Sequence, residues 1–178
     1  SGANGVYTFN LFPRHETLLP EHVDLYPLFD QIGSPETLKG LDKIYCIDRM
    51  IIEDFPPKGR WALVAPDRLP IKLNDEGWAR AKLPVGENIT ANTPPGKTCT
   101  ARLRMKLAGL AEGDKALISL NGSQLGEAAR GPEDWVALEP DPKLVKEGYN
   151  IVEVRLDSQL DRAEMPMIDR LDLTVRYQ

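Results

Sequence analysis

Residues 100–107 alternate between polar and apolar side chains, running Arg102-Leu103-Arg104-Met105-Lys106-Leu107. The same period returns in residues 116–125, 150–157 and 169–177. Successive side chains of an extended chain point to opposite faces, so a two-residue apolar period describes a strand with one face buried and one wet. Several such runs separated by turn signals predict an antiparallel β-sandwich. Asn121-Gly122 is the sharpest of those signals. Both residues tolerate the positive φ angles of a type I′ turn, which predicts a hairpin pairing Leu120 with Ser123 and Ile118 with Leu125. Ile118, Leu120 and Leu125 then share the core face. By the same alternation Val152, Val154 and Leu156 face inward, as do Leu171, Leu173, Val175 and Tyr177.

The first third of the chain reads differently. Residues 6–12 form an apolar, aromatic run of the kind found in strands buried on both faces. Residues 13–21 are a polar loop, and residues 25–32 one or two helical turns ending at Gly33. Ser34-Pro35-Glu36 restarts a helix, with Ser34 as cap, Pro35 at the first helical position and Glu36 at the positive end of the dipole. The pattern then breaks down toward Pro56-Pro57 and Lys58-Gly59. That break predicts a division into residues 1–57 and residues 58–178. Past it, short strands are expected at 61–65, 69–73, 79–83 and 87–90, then a turn at Thr93-Pro94-Pro95-Gly96. Asp141-Pro142-Lys143 opens a short helical turn closed by Gly148.

The chain has 178 residues, enough for one domain with a real core, or for one domain plus a piece of another. A net charge of −5 argues against nucleic-acid and anionic-membrane partners, because both need a basic surface. No apolar run approaches the ~20 residues needed to span a bilayer. The chain opens on Ser1-Gly2-Ala3 with no initiator Met, as expected of a piece of a longer protein. Cys46 and Cys99 fit buried free thiols at least as well as one disulfide.

Two stretches resemble known families. Leu103-Arg104-Met105-Lys106-Leu107, Gly113 to Gly122 (Gly-Asp-Lys-Ala-Leu-Ile-Ser-Leu-Asn-Gly), Trp135, Lys146-Glu147-Gly148-Tyr149-Asn150 and Val152-Glu153-Val154 together resemble the jelly-roll accessory domains of glycoside hydrolases. These are galactose-binding-like sandwiches that often serve as carbohydrate-binding modules. The resemblance covers residues 59–178. Gly2 to Phe12 looks like the eighth strand of a (β/α)₈ glycoside-hydrolase barrel, with residues 25–45 as the helical region after it. Together they imply a mainly β fold, a jelly-roll antiparallel sandwich behind a short N-terminal strand and helix, from a bacterial hydrolase-like protein. The partners implied are a carbohydrate and the catalytic barrel of the parent chain. A polysaccharide-degrading parent implies a secreted or periplasmic location. The family's catalytic acids belong to barrel strands absent from this chain, so none carries over.

Sugar binding draws attention to the aromatics, whose faces offer apolar contact to a pyranose ring. Trp61, Trp78, Trp135 and Tyr149 are the candidates, with core packing as the alternative for each. Trp78 stands out because Asn74-Asp75-Glu76-Gly77-Trp78 is a polar turn. Asn74, Asp75 and Glu76 could hydrogen-bond sugar hydroxyls or hold a structural calcium ion, which takes oxygen ligands; a solvated turn is the alternative. Asp157, Asp161 and Glu164 form a weaker acidic set. His15-Glu16 and Glu21-His22 lack the HExxH spacing of a metal helix. If the barrel reading holds, Arg14, His15 and Glu16 follow its last strand, at the catalytic face. Three functions follow: a carbohydrate-binding domain, a scaffold packed on a barrel, or a glycosidase or lyase in its own right.

Overall fold

The computed structural model describes residues 34–47, 69–111, 113–129, 131–156 and 164–178. The expectations for residues 1–33, for Trp61 and for Asp157 and Asp161 lie outside these residues. The chain divides into two units, Ser1–Leu41 and Asp42–Gln178. In the first, helix α1 (Pro35–Leu38) is a single turn. Its cap is the expected one: Ser34 Oγ accepts from the Glu36 backbone N–H at 3.1 Å.

The second unit is an antiparallel β-sandwich of nine strands among the described residues: β1 (Lys43–Ile47), β2 (Ile71–Lys72), β3 (Trp78–Val85), β4 (Cys99–Ala108), β5 (Lys115–Leu120), β6 (Ser123–Ala129), β7 (Trp135–Leu138), β8 (Gly148–Leu156) and β9 (Met167–Tyr177). One sheet has the order β1-β9-β4-β7, with β2 also paired to β9; the other has the order β3-β8-β5-β6. This bears out the mainly β sandwich.

The alternation read from the sequence is the mechanism of closure. Ala101, Leu103, Met105 and Leu107 of β4 and Leu171, Leu173, Val175 and Tyr177 of β9 point inward from one sheet. Ala79, Ala81, Leu83 and Val85 of β3, Ala116, Ile118 and Leu120 of β5, and Val152, Val154 and Leu156 of β8 meet them from the other. Each fully buried leucine contributes about 1.5–3 kcal/mol relative to exposure, so these two faces hold the sheets together.

Four local expectations are corrected. The sandwich takes in Lys43–Ile47, which pairs with β9 from Lys43↔Val175 to Ile47↔Leu171, upstream of the division expected after residue 57. Only five residues long, β1 was obscured by the helix signal before it. Residues 87–90 form a turn instead of a strand: Asn88 Oδ1 accepts from the Ala91 backbone N–H at 3.0 Å, and Asn92 N–H reaches the Asn88 carbonyl. Of residues 69–73, only Ile71–Lys72 are a strand proper. In the β5–β6 hairpin Leu120 does face Ser123, but Ile118 faces Gly126, because a bulge at Leu125 shifts the register. Leu125 still packs against the core.

Asn121 and Gly122 carry φ of 52° and 84°, as the type I′ turn requires. Asn121 has a second task. Its Nδ2 donates to Asn150 Oδ1 at 2.8 Å and to the Leu144 carbonyl at 2.7 Å, while its Oδ1 accepts from Ile151 N–H at 2.9 Å. Asn150 has no exposed surface. Its Oδ1 also accepts from Lys146 N–H at 2.8 Å, and its Nδ2 donates to the Lys146 carbonyl at 2.7 Å. The Asn-Gly turn and the Lys-Glu-Gly-Tyr-Asn segment, both used for the family resemblance, are thus two ends of one hydrogen-bond network.

Candidate functional site

Burying one face of each strand leaves the other face of both sheets outward, and the candidate residues divide between these surfaces. On the four-stranded sheet the outward positions of β3 are Trp78, Arg80, Lys82 and Pro84, opposite Arg155, Glu153, Ile151 and Tyr149 of β8. On β5, Leu117 and Ser119 stand opposite Arg155 and Glu153, and Gln124 of β6 stands beyond Ser119. Arg80, Leu117, Ser119, Gln124, Ile151, Glu153 and Arg155 of this face line an open groove of about 650 Å³, with Asn121, Gly122 and Lys146 also in its wall; Trp78, Pro84 and Tyr149 lie on the same face outside it. The asparagine network therefore positions that part of the wall.

Trp78 and Tyr149 mark opposite ends of this face. Trp78 pairs with Arg155 and Tyr149 lies six residues from it, so at about 3.3 Å per residue they are ~20 Å apart. Tyr149 is 62% exposed. Trp78 is half-buried but outside the core. The Arg80 guanidinium lies over its ring, 5.2 Å from the centroid, a cation–π contact. Arg80 is in turn held by Glu153, with Nε 2.7 Å from Oε2. The Trp78 indole N–H donates to Glu76 Oε2 at 3.0 Å.

Asn74 is the hub of the turn before Trp78. Its Oδ1 accepts from the backbone N–H groups of Glu76 and Trp78 at 3.1 and 3.0 Å, and its backbone bonds Trp78 and Gly77. Gly77, with φ of 76°, completes the turn. Asn74 thus aims Trp78, and Asp75 stands exposed at the tip. Among the described residues no three of His, Cys, Asp and Glu gather as a metal ion would need.

Trp135 lies elsewhere. It opens β7 opposite Lys106, on the outer face of the five-stranded sheet, so it cannot join Trp78 in one site. Its surroundings repeat the Trp78 arrangement. Arg104 lies over its ring at 5.0 Å and forms a two-point ion pair with Asp172, at 2.9 and 2.8 Å. That carboxylate holds Arg104 in its charged form and raises its pKa. Neither tryptophan belongs to the core. Sequence reading missed Arg80, Glu153, Arg104 and Asp172; the signal for the arginine on Trp78 is the Trp-x-Arg spacing, which places both on one face of a strand.

A third polar cluster closes one end of the sandwich. Glu87 accepts from the Tyr45 hydroxyl at 3.0 Å and from Asn92 Nδ2 at 2.9 Å, and pairs with Lys43 at 2.6 Å. Burial, then the neighbouring Glu87 charge, pushes the Tyr45 and Tyr177 phenols well above their ordinary range. Burial also raises the Cys99 thiol. Cys99 and the exposed Cys46 are both free. This cluster ties β1 to the turn after β3.

Chemically, the groove on the four-stranded sheet offers hydroxyl, amide, guanidinium and carboxylate groups, on a face that also carries Trp78 and Tyr149. Among the described residues lining it, Glu153 is the one carboxylate, and it already serves Arg80.

No family model matches the sequence, and no curated protein matches it. Among solved structures, the chain is similar to BpGH86A, a β-porphyranase of glycoside hydrolase family 86 from the human gut bacterium Bacteroides plebeius. That likeness has a TM-score of 0.41 and 14% identity over 61% of this chain; it spans 19% of the length of the porphyranase. The chain is also similar to a family 35 carbohydrate-binding module from Clostridium thermocellum, with a TM-score of 0.35 and 12% identity over 74% of this chain and 90% of that one.

Proposed function

We propose that the sandwich is a non-catalytic carbohydrate-binding domain of a glycoside-hydrolase-like protein, and that the glycan lies along the outer face of the four-stranded sheet. The observation that supports this most is the arrangement of that face: Trp78 with its Arg80 partner at one end, exposed Tyr149 toward the other, and between them a groove lined by Arg155, Ser119 and Gln124. Aromatic surface with a few placed polar groups is what recognition of a sugar chain requires. At ~20 Å the face suits an extended oligosaccharide better than a single sugar. The catalytic barrel, on this reading, belongs to the rest of the parent chain.

Affinity electrophoresis through gels containing soluble polysaccharides, followed by calorimetry on the retarded cases, tests the proposal. Trp78→Ala and Tyr149→Ala are expected to lose the retardation, each with a melting temperature that reports whether the sandwich is intact. If no polysaccharide retards the protein, the domain is a scaffold that packs against the barrel. Turnover of a glycan by the chain itself would overturn the non-catalytic assignment.

A further inference from the structure

The outer face of the five-stranded sheet carries a concentration of cations that the overall charge of −5 conceals. β4 and β9 pair so that Thr100 faces Arg176, Arg102 faces Thr174, Arg104 faces Asp172 and Lys106 faces Arg170. Each of four successive rungs therefore presents at least one cation. Rungs two residues apart are about 7 Å apart, so the ladder runs ~20 Å along the sheet. The carboxylates near it are few. Asp172 is committed to Arg104, Asp42 accepts from the Tyr177 backbone N–H at 2.9 Å beside Arg176, Asp169 sits in the bulge beside the last rung, and Glu139 lies at the margin. Arg102 and Arg176 are exposed and make no ion pair among the described residues. They line an open groove of about 660 Å³ together with Thr100, Thr174 and Ile44, which is 63% exposed.

We infer that this face is a second binding surface, for a linear glycan carrying carboxylate or sulfate groups. Guanidinium groups at regular spacing, with threonine hydroxyls opposite them on the first two rungs, complement a chain that carries both charges and hydroxyls. Arg104 is locked by Asp172, so it presents a fixed cation, while Arg102 and Arg176 are free to close on the anion. Trp135, at the far edge of the ladder, supplies apolar surface beside the last rung. A nucleic-acid duplex fits less well. It presents a charge every ~1.7 Å and needs a broad basic surface, whereas this ladder is narrow and set on an acidic molecule. That the polymer is a glycan rests on the function proposed above; its anionic character rests on the charge arrangement alone.

The test is calorimetry of the whole chain with polygalacturonate, dextran sulfate, neutral dextran and double-stranded DNA at low and at high salt. Binding of at least one of the two acidic polysaccharides is expected, weakening as salt screens the charges. Arg102→Gln with Arg176→Gln should weaken it about tenfold or more, roughly 1.4 kcal/mol, and leave the melting temperature unchanged. Trp78→Ala should leave it intact, which separates this surface from the groove on the other sheet. Failure of both acidic polysaccharides to bind, or binding indifferent to the arginine pair, overturns the inference. DNA binding as tight as either would assign the face to nucleic acid instead. Loss of neutral-glycan binding elsewhere on the molecule would bear only on the earlier proposal.

Discussion

Asn150→Ala is expected to be among the most destabilising single changes to a polar residue in the sandwich. The side chain is fully buried and makes three short hydrogen bonds, to Asn121 Nδ2, Lys146 N–H and the Lys146 carbonyl, at 2.7–2.8 Å, plus a longer one to the Gly148 carbonyl at 3.3 Å. At about 1 kcal/mol net for each good bond, the short three sum to about 3 kcal/mol. Orphaning Asn121 Nδ2 adds to this, although that group keeps the Leu144 carbonyl. Lys146 lies on an exposed segment, so water recovers part of the backbone loss. The balance is about 2–4 kcal/mol, which for a domain of this size lowers the melting temperature by roughly 10 °C. Urea and thermal unfolding followed by circular dichroism measure it. Asn121→Gly is the informative partner, because glycine keeps the positive φ of the turn and deletes only the side chain. If the two asparagines act as one network, the double variant is less destabilised than the sum by about 1–2 kcal/mol. An Asn150→Ala effect below about 1 kcal/mol, or strict additivity with Asn121→Gly, refutes this account of the network.

Two further outcomes follow from the packing. Tyr45 and Tyr177 have phenol pKa values raised by burial and by Glu87, so the folded state keeps their protons where the unfolded chain releases them. Their contribution is fully present below the unfolded value of 10.0 and is lost as pH climbs above it. Melting temperature should therefore fall as pH rises above 10.0, and less steeply in Tyr45→Phe; equal slopes would exclude Tyr45 as a cause. Gly131 has no room for a side chain, since a Cβ there would collide with the Trp135 carbonyl. Gly131→Ala should cost about 1–3 kcal/mol and shift Trp135 fluorescence, whereas a neutral result would mean that the entry into β7 yields without strain.

Local sequence pattern was enough to set the architecture of the C-terminal region. Strands need a two-residue apolar period, and the runs around Leu103, Val152 and Leu173 have it, so their inward faces were legible in the sequence. Local chemistry did the same for the Asn121-Gly122 turn and the Ser34 cap, where a side chain or a φ angle acts within a few residues. Tertiary structure decided what depends on pairing between distant segments. It brought β1 into the sheet through β9 and inserted the bulge at Leu125. It also joined Asn121 to Asn150 and set Trp78 and Trp135 on opposite outer faces. The candidate residues could be chosen by type, but alternation alone does not say which strands share a sheet. Register between strands far apart in the chain does, and it turned scattered Arg102, Arg104, Arg170 and Arg176 into one ladder.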